Sequence, residues 1–131
     1  MGVFDNRRSS GRSNSIEKSE TKLILSDKSP WPIQEAYKAL RTNIIFSLPG
    51  NGCKVIAVSS AQQHDGKSII CINTSIAFSQ INKKVLLIES DLRLPTVGTK
   101  LGIRSVPGLS DTLIGACQVA EALRRNVRNG L

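Results

Sequence analysis

The residues best suited to chemistry are a glycine, a lysine and a serine in succession, Gly66-Lys67-Ser68, with Ala61 five positions before the glycine. The pattern Ala61-x4-Gly66-Lys67-Ser68 has the spacing of a phosphate-binding loop, the P-loop, with alanine in place of its first glycine. Such a loop wraps backbone N–H groups around the β-phosphate of a nucleotide at the start of a helix. Lys67 would bring a positive charge to the β and γ oxygens, and Ser68 would offer a hydroxyl ligand to Mg2+. The contact with a nucleotide then falls to Gln62, Gln63, His64, Asp65, Gly66, Lys67, Ser68 and Ile69. The competing reading is an accidental strand–turn–helix. A second pair, Glu89 and Asp91, lies in Glu89-Ser90-Asp91-Leu92-Arg93-Leu94-Pro95. Two carboxylates leaving a buried strand could hold hydrated Mg2+, with Ser68, or accept a proton from an attacking hydroxyl. Their competing reading is a solvated turn with an Asp–Arg ion pair.

These groups need elements to position them. Lys54-Val55-Ile56-Ala57-Val58-Ser59-Ser60 is a nearly continuous apolar run, which predicts a strand buried on both faces of a parallel sheet. Gly66-Lys67-Ser68 opens a predicted helix reaching about Gln80, and Lys84-Val85-Leu86-Leu87-Ile88-Glu89 reads as a second buried strand. Strand, helix, strand in that order implies an α/β fold with a right-handed crossover. Its ligand edge would be the carboxyl end of the strands, where both motifs sit. Upstream, Ile33, Tyr37, Leu40, Ile44 and Leu48 line one face of a helix that Pro49-Gly50-Asn51-Gly52 stops. The stretch Ser29-Pro30-Trp31-Pro32 should hold that helix off until past its prolines. Glu35, Lys38 and Arg41 form a second stripe at a spacing of three. Downstream, a short helix is expected within Gly108–Ile114 and another from Val119 to about Arg128. Residues 1–28 read as a flexible polar leader whose patch Leu23-Ile24-Leu25 can dock, and 29–131 as the domain.

Composition narrows the function classes. The 131 residues make one small domain. Lys and Arg number 18 against 10 Asp and Glu, a formal charge of +8, but the cations are dispersed rather than blocked. Aromatics number only five, too few for the stacking platforms of single-strand binders, so no nucleic acid partner is expected. A weak attraction to anionic lipid stays open. No apolar run reaches the roughly 18 residues a membrane span needs. The N-terminus has no apolar signal core, and Asn6 stands where a myristoylation motif wants Ser or Thr. Cys53, Cys71 and Cys117 are scattered without CxxC spacing, as expected of cytosolic thiols. A soluble cytoplasmic chain is expected.

Three stretches together resemble the bacterial tyrosine kinases (BY-kinases) of capsular and exopolysaccharide synthesis, the CpsD/CapB type. They are Glu35-Ala36-Tyr37-Lys38-Ala39-Leu40-Arg41-Thr42-Asn43, the loop before Gly66-Lys67-Ser68, and Glu89-Ser90-Asp91-Leu92-Arg93-Leu94-Pro95; Pro107-Gly108-Leu109-Ser110-Asp111-Thr112-Leu113 fits the stretch that follows. The resemblance implies a P-loop NTPase fold and ATP- and Mg2+-dependent protein-tyrosine autokinase activity on a C-terminal tyrosine cluster. That activity would regulate polysaccharide synthesis and chain length. It implies Lys67, Glu89 and Asp91 as catalytic residues, and Ser68, Glu89 and Asp91 as metal ligands. It also implies a membrane activator of the polysaccharide co-polymerase type, and hence a place at the inner face of the cell membrane. Glu35, Lys38 and Arg41 fall on the family's ring-oligomer motif, with Lys38 in place of its middle arginine; without the family, the stripe reads as a solvated helix face.

The chain also departs from the family. Gln63-His64-Asp65 replaces its Pro-Gly-Glu, which puts His64 at a backbone position that would be strained if φ is positive. Glu89 stands where the family has aspartate, and Asp91 and Arg93 match it. The Asp-Thr-Pro-Pro motif and the tyrosine-rich tail are missing, and the single tyrosine, Tyr37, lies on the apolar seam as core. The chain is therefore read as the N-terminal half of a kinase domain. A non-catalytic interaction or regulatory subunit of the same system is the first alternative. A ParA/MinD-like ATPase is the second, opposed by Gln62 where that class carries its signature lysine.

Overall fold

The computed structural model describes residues 23–128 and residue 131. The predicted leader therefore lies outside the described residues as far as position 22. The described residues form five helices: α1 (Trp31–Ser47), α2 (Lys67–Ser79), α3 (Val97–Leu101), α4 (Leu109–Leu113) and α5 (Val119–Ala122). α1 packs on α2, α2 touches α3, and α4 packs on α5. No helix among the described residues is long and apolar enough to cross a membrane.

α1 begins earlier than expected, with Pro30 as its N-cap and Pro32 inside the first turn. First-turn N–H groups have no intrahelical acceptor, so a proline there costs no hydrogen bond. The helix ends as its stop signal requires, with the Leu48 N–H donating to the Ile44 carbonyl at 3.1 Å. Its apolar seam is only half covered: Tyr37 packs against the core, whereas Ile33, Leu40 and Leu48 remain exposed. Arg41 fastens α1 to α2, its Nη1 donating to the Ala77 carbonyl at 2.7 Å. A charged donor to a carbonyl at the negative end of a helix is worth about 1.5 kcal/mol.

The core is small and sits on α2. Ile72, Ile76 and Ala77 are buried there together with Ile24 and Leu25, the apolar patch that the sequence marked for docking. The segment 23–25 is held by one side chain. Asn73 Oδ1 accepts the Leu25 N–H at 2.8 Å, and Asn73 Nδ2 donates to the Leu23 carbonyl at 2.9 Å. The carboxamide thus pairs with the segment as a neighbouring strand would. Leaving it buried without those partners would cost about 1–3 kcal/mol.

The expected parallel sheet is not formed among the described residues: neither 54–60 nor 84–89 is a strand. A strand is defined by a ladder to a neighbour, and no backbone hydrogen bond joins these two segments to each other or to any described residue. The first segment lies open, with Val55 91% exposed and Ile56 also exposed. The second alternates. Leu87 packs against the core while Leu86 and Ile88 stay exposed. A cavity of about 500 Å³ adjoins Leu86 and Ile88 and continues between Val97, Leu101, Leu109 and Leu131.

The last expected helix is also shorter than its pattern, ending at Ala122 rather than near Arg128. Arg124 supplies the reason. Its guanidinium donates to the carbonyls of Arg104, Pro107, Glu121 and Ala122, which turns the chain back onto 104–107. These four bonds replace the helical bonds given up after Leu123.

Candidate nucleotide site

The loop 61–66 is a succession of turns that delivers the chain into α2. Two left-handed residues bend it, His64 at φ 66° and Gly66 at φ 86°. Gly66, the N-cap of α2, adopts this conformation without penalty. His64 does not, and its side chain stands where glycine would be relaxed; histidine is among the residues that tolerate the region best. Asp65 closes the turn from inside, its Oδ2 accepting the Gln62 N–H at 3.1 Å.

Lys67 is folded back over this loop. Its Nζ donates to Ser60 Oγ at 3.0 Å and to the Gln62 carbonyl at 3.2 Å, while Ser60 Oγ donates to the same carbonyl at 2.8 Å. The ammonium is therefore held at the mouth of the loop by the loop's own backbone. The first bond of the helix runs from the Ile70 N–H to the Gly66 carbonyl at 2.9 Å. The N–H groups of Gly66, Lys67, Ser68 and Ile69 have no acceptor among the described residues and mark the positive end of α2. A curled loop, an inward lysine and free first-turn amides form a combination that suits an oxyanion with several oxygens, such as a phosphate chain.

The acidic pair is split by the structure. Glu89 caps α3: its Oε1 accepts the Thr96 N–H at 2.8 Å and its Oε2 accepts the Val97 N–H at 2.9 Å. Thr96 also reaches the loop helix, its Oγ1 donating to Ser68 Oγ at 3.1 Å. Glu89, Thr96 and Ser68 are therefore one connected group. Asp91 stands apart on the exposed loop, where its Oδ1 accepts the N–H groups of Arg93 at 3.3 Å and Leu94 at 3.1 Å. The alternative of an Asp91–Arg93 ion pair is replaced by this backbone turn. No group of three or more His, Cys, Asp or Glu side chains clusters among the described residues.

Two residues that the sequence reading left out belong to the site. Ser60 shares the lysine, and Thr96 joins Ser68 to Glu89. Ser60 could have been found as the last residue before the loop. Thr96 has no local signature, since its role depends on α3 folding back onto the start of α2. The stripe of Glu35, Lys38 and Arg41 is divided as well. Lys38 Nζ and Glu35 Oε1 form an exposed ion pair at 2.8 Å, while Arg41 is used within the chain.

Comparison with known proteins gives the site its context. The chain is 34% identical over 124 residues to the tyrosine-protein kinase YwqD of Bacillus subtilis, a match covering 95% of this chain and 49% of that protein. It is 33% identical over 90 residues to the tyrosine-protein kinase wzc of Salmonella typhi, covering 69% of this chain and 12% of that protein. It is 30% identical over 121 residues to the tyrosine-protein kinase ptk of Acinetobacter johnsonii, covering 92% of this chain and 16% of that protein. No family model and no solved structure matches the chain. It spans about half the length of the first of these relatives and far less of the others. The chain is homologous to bacterial tyrosine-protein kinases over most of its length, and that relationship implies the P-loop NTPase class.

Proposed function

We propose that this homologue of bacterial tyrosine-protein kinases is the nucleotide-binding part of an autokinase that regulates capsular and exopolysaccharide synthesis. It would take ATP with Mg2+. The loop 62–69 surrounds the phosphates, with the first-turn amides of α2 on the β-phosphate and Lys67 on the β and γ oxygens. Ser68 and Glu89, joined through Thr96, would hold the metal. Each Glu89 oxygen accepts one amide hydrogen in the structure and keeps further lone-pair capacity, so the carboxylate fits that role. The metal supplies neutralisation of the phosphate charge. Asp91, on its exposed loop two residues on, would take the proton of an incoming tyrosine hydroxyl as the γ-phosphoryl group moves to its oxygen and ADP departs. That tyrosine would not be Tyr37, which is half-buried against the core. A membrane activator and a ring of subunits, with Glu35, Lys38 and Arg41 at the contact, complete the proposed system.

The observation that carries this reading is the position of Lys67 Nζ, held by Ser60 and the Gln62 carbonyl over a loop with unpartnered amides. Calorimetry tests it. Lys67→Met should weaken ATP binding about thirtyfold or more, the loss of roughly 2 kcal/mol of charge-assisted contact. An unchanged affinity would overturn the assignment. The second reading, a non-catalytic interaction subunit, is favoured by the open apolar segment at Val55 and Ile56. It is supported if the parent chain takes no ATP in the same calorimeter yet sediments with a full-length kinase.

A further inference from the structure

We infer that Asn73 is a positioning residue that couples the segment 23–25 to nucleotide binding, so that docking of this segment and occupation of the loop 62–69 favour each other. The inference rests on the nucleotide-binding reading of that loop. Asn73 is 1% exposed, and both the oxygen and the nitrogen of its carboxamide are bonded to backbone groups of a segment about fifty residues earlier in the chain. It stands six positions after Lys67 on the same unbroken helix, about 9 Å along the axis at the usual rise. The residue before it, Ile72, is fully buried, and Leu25 is 3% exposed against the same cluster. The segment is therefore fastened to the middle of α2, on the same rigid helix that carries Lys67 and Ser68. A helix this short transmits rotation and translation to its first turn, which presents Lys67, Ser68 and the unpartnered amides. Freeing 23–25 releases α2 from one of its polar clamps, the others being Arg41 on the Ala77 carbonyl and Thr96 on Ser68. The chain bearing 23–25 thus becomes an input to the phosphate loop.

Coupling of this kind is reciprocal: the factor by which docking raises nucleotide affinity equals the factor by which nucleotide stabilises docking. Hydrogen exchange on the full chain, with and without magnesium ADP, reads the second of these through the Leu25 amide. The ligand should slow that amide by about fivefold, and Asn73→Ala should weaken ADP binding by about the same factor. Asn73→Asp keeps the acceptor for the Leu25 N–H but loses the donor to the Leu23 carbonyl, and should fall between. ADP binding that leaves the Leu25 amide unchanged would overturn the coupling. So would an Asn73→Ala chain that exchanges faster at Leu25 while binding ADP as the parent does, because that describes a purely structural clamp. If Asn73→Ala fails to fold, exchange in the parent chain decides alone. A parent chain that binds no ADP overturns both this inference and the reading of Lys67, whereas binding without coupling overturns this inference only.

Discussion

Two regions of this chain have nearly the same apolar character and opposite fates. In the unit formed by 23–25, α1 and α2, Ile72 is fully buried and Ile24, Leu25 and Ile76 close around it. In the segment leading into the loop 61–66, Val55 is 91% exposed and Ile56 is open beside it. The difference is where the backbone hydrogen bonds come from. A helix satisfies its own groups within four residues, so α2 needs only side chains to cover it. An extended segment must find a partner far away in sequence, and none of the described residues provides one to 54–58. The segment 23–25, a turn rather than a strand, is fastened by the carboxamide of Asn73 in place of a backbone partner.

The largest effect is expected where that contrast is sharpest. Ile72→Ala leaves a cavity in a fully enclosed part of the core and should cost about 3 kcal/mol. For a chain with so small a core, that is a large share of the stability. Urea denaturation followed by circular dichroism would register it as a lower midpoint or a lost transition. A cost below about 1 kcal/mol would mean that the packed unit is no better packed than the open segment.

The elements that could be read in advance are those whose signals are local. The period of Ile33, Tyr37, Leu40 and Ile44 and the stop at Pro49-Gly50 marked α1, and Gly66-Lys67-Ser68 marked the start of α2. The docking of Leu23-Ile24-Leu25 was legible as an apolar patch in a polar stretch. The runs at 54–60 and 84–89 were legible as apolar and extended, but pairing is a property of two segments, and no single run carries it. The same limit hid the clamp of Glu89 on α3, because a carboxylate that binds amides seven and eight residues ahead looks like any acid at the end of a strand. Asn73 was invisible for a related reason: mid-helix asparagines usually face solvent, and only the return of 23–25 explains its burial. At His64 a local signal sufficed, since replacing a glycine there predicted strain and the backbone has φ of 66°.

The thiols sharpen the comparison from a second direction. Cys71 lies half-buried on α2, and burial pushes its thiol above the ordinary value of 9.0; Cys53 is exposed at the start of the open segment. Iodoacetamide near pH 8 should modify Cys53 about tenfold faster than Cys71, since Cys53 is exposed and burial both shields the Cys71 thiol and keeps it protonated. The sign for stability follows from the same shift. The folded chain keeps the Cys71 proton to higher pH than the unfolded chain does, so this contribution is complete below 9.0 and is lost as pH rises further. Equal alkylation rates would erase the distinction between the two regions.

The smallest expected effect is the most discriminating. Val55→Ala removes two methyl groups from a side chain that touches almost nothing, so stability should change by less than about 0.5 kcal/mol. What should change is solubility. An open, β-branched segment with unpaired backbone groups is a template for another strand, and the smaller, less β-prone alanine weakens it as one. Sedimentation of concentrated Val55→Ala should therefore show less self-association than the parent while the urea midpoint stays in place. A destabilisation above about 1 kcal/mol would place Val55 in a buried ladder in solution, and the two regions would then be parts of one core.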